Sequence, residues 1–158
     1  MANQKNTFID TITDKRCIPY NSTKTGTIQT VGKEVVGTGT LFLTQCKVGD
    51  WLVDLTQNEI HKIISVSDNF SMHIQEAFAV DLPALTAVVT VPRFPQAKEI
   101  SVLIPFGSPN GLIDGKTLYA GVPYDTSKLS RSKSTGYDFV DPIIIDASGT
   151  TAGIIINY

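Results

Sequence analysis

Two histidines, two cysteines and a scatter of acids are the groups in this sequence with types suited to chemistry. His61 and His73 are its only imidazoles. Each sits opposite apolar neighbours in an alternating stretch, an arrangement in which both could face solvent from adjacent strands and share a metal ion. A zinc site needs further ligands, and no third ligand is recognisable, so two ordinary solvent-facing histidines are the simpler reading. Cys17 and Cys46 lack the close spacing of a zinc or redox pair and are too few for a disulfide framework. They read as reduced, small apolar residues. Serines and aspartates abound, yet no Gly-x-Ser-x-Gly elbow is present to activate a nucleophile. The acids Asp50, Asp54, Glu59 and Asp68, with Asp114, Asp125, Asp138 and Asp141 further on, lack the alternating register of a calcium loop. Aspartates in turns accept bonds from backbone amides, and turn capping is the expectation for them. A carboxylate pair for glycoside hydrolysis depends on separation in space, which sequence does not display. Gly37-x-Gly39 resembles a fragment of a phosphate loop, but no helix follows to hold an anion, and it reads as a turn. Lys128, Arg131 and Lys133 read as a solvated loop, and Tyr119, Tyr124 and Tyr137 leave carbohydrate stacking open. The balance predicts a protein that is not an enzyme and has no metal or cofactor.

The elements that carry these residues are predicted to be strands. Hydrophobic residues make up 42% of the 158 and charged ones only 18%, which suffices for a core and disfavours long exposed helices. Thr, Val, Ile and Gly are plentiful, and they suit pleated strands and tight turns. A net charge of −2 offers no electrostatic reason for a nucleic-acid or anionic-membrane partner. No run approaches the roughly 20 apolar residues of a membrane span, and the polar start, Met1 to Asp10, lacks the apolar run of a leader. The expectation is a chain made in the cytoplasm.

Along the chain, residues 1–34 contain isolated apolar positions (Phe8, Ile9, Ile12) without a sustained period, and they read as an N-terminal extended arm that orders on a neighbouring molecule. Residues 35–92 read as a small β-meander or barrel module. Trp51, Val53 and Leu55 share one strand face and Leu52 and Asp54 the other. Thr56 to Glu59 is a turn, Ile60 to Val66 a strand, Ser67-Asp68-Asn69 a turn, and Phe70, Met72 and Ile74 mark the next strand. Leu85 to Val91 adds another. Pro92 and Pro95 cannot donate to a ladder, so residues 93–98 read as a linker. Residues 99–158 read as a second, β-sandwich-like module. In it Asp114-Gly115 is a hairpin dipeptide, because both residues tolerate positive φ. Residues 124–137 are a long loop. Ile143-Ile144-Ile145 and Ile154-Ile155-Ile156 suggest a closing hairpin of strands covered on both faces, the last of them paired rather than left as an open edge. The fold class is therefore all-β.

The order Gly37-Thr38-Gly39-Thr40-Leu41-Phe42, Val48-Gly49-Asp50-Trp51-Leu52, Asn58-Glu59-Ile60, Lys62-Ile63, Ser67-Asp68 and Ala77-Phe78 resembles a small β-module of tailed-phage virion structural proteins. Head decoration proteins and head fibres, as in crAss-like phages, are of this kind. The resemblance covers about a third of the chain and implies a non-enzymatic auxiliary capsid or head-fibre subunit in the virion. It implies partners too: copies of the chain itself, with a trimer among the possible orders, and other virion proteins such as the major capsid protein. The matched positions have folding reasons of their own. Gly37, Gly39 and Gly49 would supply turns or close backbone approach, Asp50 and Asp68 would cap turns, Trp51 would anchor the core, and Glu59 and Phe78 complete the set. A glycan-binding β-sandwich for host attachment is the alternative.

Overall fold

The computed structural model describes residues 7–93, 97–125 and 141–158. Among them are fourteen strands and one four-residue helical turn, and the chain is all-β. It divides into two units. One takes Met1–Pro19 with Pro95–Tyr158, and the other takes Tyr20–Phe94.

The first unit contains two four-stranded antiparallel sheets. One runs in the order β1 (Thr7–Ile12), β14 (Ala152–Asn157), β9 (Glu99–Leu103), β12 (Tyr124–Asp125). The other runs β11 (Lys116–Leu118), β10 (Gly111–Ile113), β13 (Ile143–Asp146), β2 (Lys15–Ile18). A single core takes Ile12, Ile100, Val102, Ile154 and Ile156 from the first sheet and Ile18, Ile113, Leu118, Ile143 and Ile145 from the second. This is a β-sandwich, in which each sheet contributes the alternate residues of its strands. The hairpin between β10 and β11 turns at Asp114 and Gly115, with φ of 47° and 76°. Two successive positive φ angles are what a two-residue turn needs to match strand twist.

The expected closing hairpin is not formed. The strands β13 and β14 lie in different sheets, because the chain turns a corner at Ala147 to Thr150, where the Thr150 amide donates to the Ala147 carbonyl at 2.9 Å. Ile143, Ile144 and Ile145 are all buried, as strands covered on both faces require, but of the three isoleucines in β14 Ile154 and Ile156 are buried and Ile155 is exposed. The C-terminal strand is paired on both sides, with β1 and β9.

The second unit is a closed barrel in the order β3 (Ser22–Val31), β4 (Glu34–Thr38), β7 (Ser71–Ile74), β6 (Glu59–Val66), β5 (Trp51–Asp54), β8 (Thr86–Val91). Its core holds Ile28, Val35, Phe42, Leu52, Ile63, Met72, Ile74, Phe78 and Val88. Leu41-Phe42-Leu43 is no strand. It opens the helical turn α1 (Phe42–Gln45), which sends Phe42 into the barrel and leaves Leu41 and Leu43 exposed. Gly37 makes this possible, since a Cβ there would collide with the Thr40 hydroxyl and come within 2.8 Å of the Phe42 ring.

The arm expected over residues 1–34 is instead built into both units. Within it, residues 7–18 form β1 and β2 of the sandwich, and residues 22–34 form β3 and the start of β4 in the barrel. The barrel is thus an insertion between β2 and β9, so the sandwich is not confined to residues 99–158. Asp10 interrupts the inward positions of β1, and in β3 the register shifts between Thr23 and Thr27 while Thr30 fills a buried place. Both features erase the period-two signal. Thr30 is tolerated inside because its hydroxyl accepts from the Leu82 amide at 2.7 Å. The second unit boundary, at Phe94, lies within the expected linker at 93–98.

Candidate functional site

Two of the matched barrel positions, Glu59 and Phe78, are brought to one place. Glu59 opens β6, and its carboxylate accepts the Ala79 amide at 3.3 and 3.1 Å. His61, two residues on, holds the Glu59 carboxylate through Nε2 at 2.9 Å and meets the Phe78 ring edge-on, with centroids 4.5 Å apart. The loop after β7 is tied down further along: Gln57 exchanges two bonds with the Val80 backbone, at 2.8 and 2.9 Å, and Asp81 accepts the Gly32 amide at 2.9 Å. Every bond in this cluster ends on backbone or on a neighbouring side chain. Chemically it is a clamp that holds the loop over the barrel core.

The histidines are not gathered. His61 stands opposite Leu52, whereas His73 stands opposite Ser65 and Glu34, further along the β6–β7 ladder. His61 packs on Phe78 and is not solvent-facing. Among the described residues no group of three or more His, Cys, Asp or Glu is placed to hold a metal ion.

Trp51 departs from its expected role. Leu52 enters the core, and Trp51 is half-buried on the other strand face with the Lys62 ammonium 5.5 Å from its ring centroid. Val53, on the same face as Trp51, is buried too, so both faces of the strand are covered and only Trp51 at its start is partly exposed. Asp54 shares the inward face with Leu52 but sits at the strand's end, where its carboxylate accepts the Thr56 and Gln57 amides at 3.0 and 3.2 Å.

Asp50, Asp54 and Asp68 hold turn amides, as expected, while Asp114 reaches across to another strand. Asp50 is buried and accepts the Lys47 amide at 2.8 Å and the Arg93 amide at 2.9 Å. Asp68 accepts the Phe70 amide at 2.7 Å, and Asp114 the Ile144 amide at 2.8 Å. Burial raises the Asp114 carboxyl above its usual range, against that bond. Gly39 and Gly49 occupy φ of 65° and 96°, a region side chains disfavour. Replacing Asp50 with Ala leaves two amides without their acceptor, and a loss of about 1–3 kcal/mol of stability is expected in chemical denaturation. An unchanged denaturation midpoint would remove this role.

Both thiols are buried and reduced. Burial pushes Cys17 up to about 12 and Cys46 up to about 11, from 9.0. A thiolate is the reacting form, so iodoacetamide at pH 8 is expected to label native protein only as fast as it unfolds, and denatured protein quickly. Because the folded values lie above the unfolded one, the associated stability is complete below pH 9 and is lost as pH rises towards 11 and 12. Rapid labelling of folded protein at pH 8 would contradict the burial of these groups.

In the sandwich, Tyr124 packs against the core and Tyr119 is 61% exposed. Burial, then the Asp114 charge, raises the Tyr124 phenol. Tyr137, Asp138, Lys128, Arg131 and Lys133 lie outside the described residues. Sequence reading missed Phe106, which is 93% exposed and lies 3.0 Å from where a Cβ on Gly121 would stand. An aromatic residue in a Pro- and Gly-rich turn was the available signal.

No family model, curated protein or solved structure matches the chain.

Proposed function

We propose that the chain is a non-enzymatic structural subunit of a tailed-phage particle, decorating the capsid or forming part of a head fibre. The observation that carries this reading is the use to which the matched positions are put. Within the segment that resembles virion β-modules, Asp50, Glu59 and Asp68 all bond backbone amides, and Gly37 admits Phe42 to the barrel core. These are demands of a rigid module, with reactive groups spent on the fold. Copies of the chain and the major capsid protein are its partners, and the virion is its location. Repeated on a symmetric shell, individually weak contacts become collectively stable. Mass spectrometry of gradient-purified particles tests the reading directly. The chain is expected at a fixed copy ratio to the major capsid protein, and its absence from the particles would end the proposal.

The alternative is glycan binding by the sandwich, favoured by the exposed rings of Phe106 and Tyr119, since flat aromatic faces stack on sugars. A glycan array is expected to show saturable binding lost in the Phe106→Ala, Tyr119→Ala double variant. An array without binding removes this alternative.

A further inference from the structure

We propose that β1 is a self-pairing edge, through which two copies of this chain join antiparallel about a two-fold axis centred on Ile9. The inference deepens the reading of the chain as a self-assembling subunit and rests on it.

The barrel is closed and presents no edge. The sandwich has four edges among the described residues, and three are blunted. The strand β12 has two residues, β11 has three with Lys116 among them, and β2 has four with Lys15 and Arg16. Short edges and basic side chains are how proteins discourage edge pairing. The fourth, β1, is the exception. It runs six residues, Thr-Phe-Ile-Asp-Thr-Ile, with no proline and no lysine, in unbroken register with β14. No strand lies on its other side among the described residues.

The outer face of this sheet points the same way. Ile9 is 72% exposed and stands directly opposite Ile155, itself 42% exposed. Leu103, 45% exposed, stands opposite Gly153 in the next row. An aliphatic stripe thus crosses β9 and β14 and stops at the open edge of β1. At one end it is bordered by a polar row, in which the Thr7 hydroxyl donates to Asn157 at 3.0 Å and the Asn157 amide donates to Glu99 at 3.1 Å. A strand added beside β1 would prolong the stripe.

Self-complementarity selects a second copy as that strand. Directly opposed residues in an antiparallel pair share a face, so with a two-fold axis through the sheet, odd positions must meet odd and even meet even. Centring on Asp10 would set two carboxylates against each other, which is destabilising. Centring on Ile9 sets Ile9 against its own copy, Thr7 against Thr11, and Phe8 against Asp10, with no like charges opposed. Ile9 then extends the aliphatic stripe from one copy into the next. A two-fold interface requires a patch that fits itself, and β1 does.

The test uses the full chain in solution. Light scattering after size exclusion is expected to show a dimer or a multiple of it. Ile9→Lys, which opposes two ammonium groups at the axis, should weaken association on the order of tenfold or more while leaving the thermal melt in place. Thr11→Lys serves as a second edge variant should Ile9→Lys impair folding. Opposed strand residues lie within disulfide reach, so Ile9→Cys should crosslink to a covalent dimer under mild oxidation, and Val31→Cys, also exposed but on the barrel, should not. An oligomer that survives both lysine variants and gives no Ile9→Cys crosslink overturns the β1 edge but leaves self-assembly standing. A wild-type chain that stays monomeric at every concentration overturns both.

Discussion

Removing residues 1–30 is expected to abolish cooperative folding rather than to release an independent core. The segment carries β1 and β2, which pair with β14 and β13, and nearly all of β3, which closes the barrel between β4 and β8. Without it the sandwich loses Ile12 and Ile18 from its core, and the barrel loses Ile28 and Thr30 together with two ladders. Each buried isoleucine removed costs about 2–5 kcal/mol, and a whole domain commonly has only about 5–15 kcal/mol in hand. The loss exceeds the reserve. Circular dichroism of the truncated chain should show no sharp thermal transition, and amide exchange should show no protected strands. A truncated protein with a native-like melt would mean that the first thirty residues are an appendage after all.

Phe42→Ala is expected to be the most damaging single substitution in the barrel. The ring enters from a helical turn, is almost wholly buried, and packs where Gly37 leaves room for it. Truncation leaves a cavity between strands already fixed by their ladders, so collapse into it is limited. A cost of about 3–5 kcal/mol follows. Leu43→Ala, next in sequence but exposed, should change stability by less than about 0.5 kcal/mol. Urea denaturation of the two variants checks the contrast, and equal midpoints would show that Phe42 is no core residue. Gly37→Ala should be destabilising in the wild type and somewhat less so when Phe42 is Ala, because the ring contact is then gone while the collision with the Thr40 side chain remains. That non-additivity is the signature of direct contact.

Much of the local structure was legible along the chain, and the reasons are local. The strand over Ile60 to Val66 is marked by its length, its β-branched residues and the turn that ends it, the one over 70–74 carries its own period, and the turns carry their own chemistry. Asp114-Gly115 adopts the paired positive φ angles its residue types permit.

The candidate site was only half legible. Glu59 and Phe78 were singled out, but His61 belonged to a different reading, and its bond to one and ring contact with the other arise only because the loop after β7 folds back over β6. Trp51 shows the same limit from the other side. The alternation in Trp51-Leu52-Val53-Asp54 defines two faces without saying which is inside. The fold covers both, with Leu52 and Val53 each buried, and Asp54 keeps its carboxylate on turn amides.

What the sequence determined by itself is the all-β class, several strands of the barrel and the turns that tolerate positive φ, since these depend on neighbours a few positions apart. What only the tertiary structure decided is membership: that Thr7 to Ile12 pairs with Ala152 to Asn157, that β13 and β14 part into different sheets, and that the barrel interrupts the sandwich. Such pairings join residues as many as 150 positions apart. No local period records them, because a strand's pattern specifies which face is buried and is silent about the strand that lies beside it.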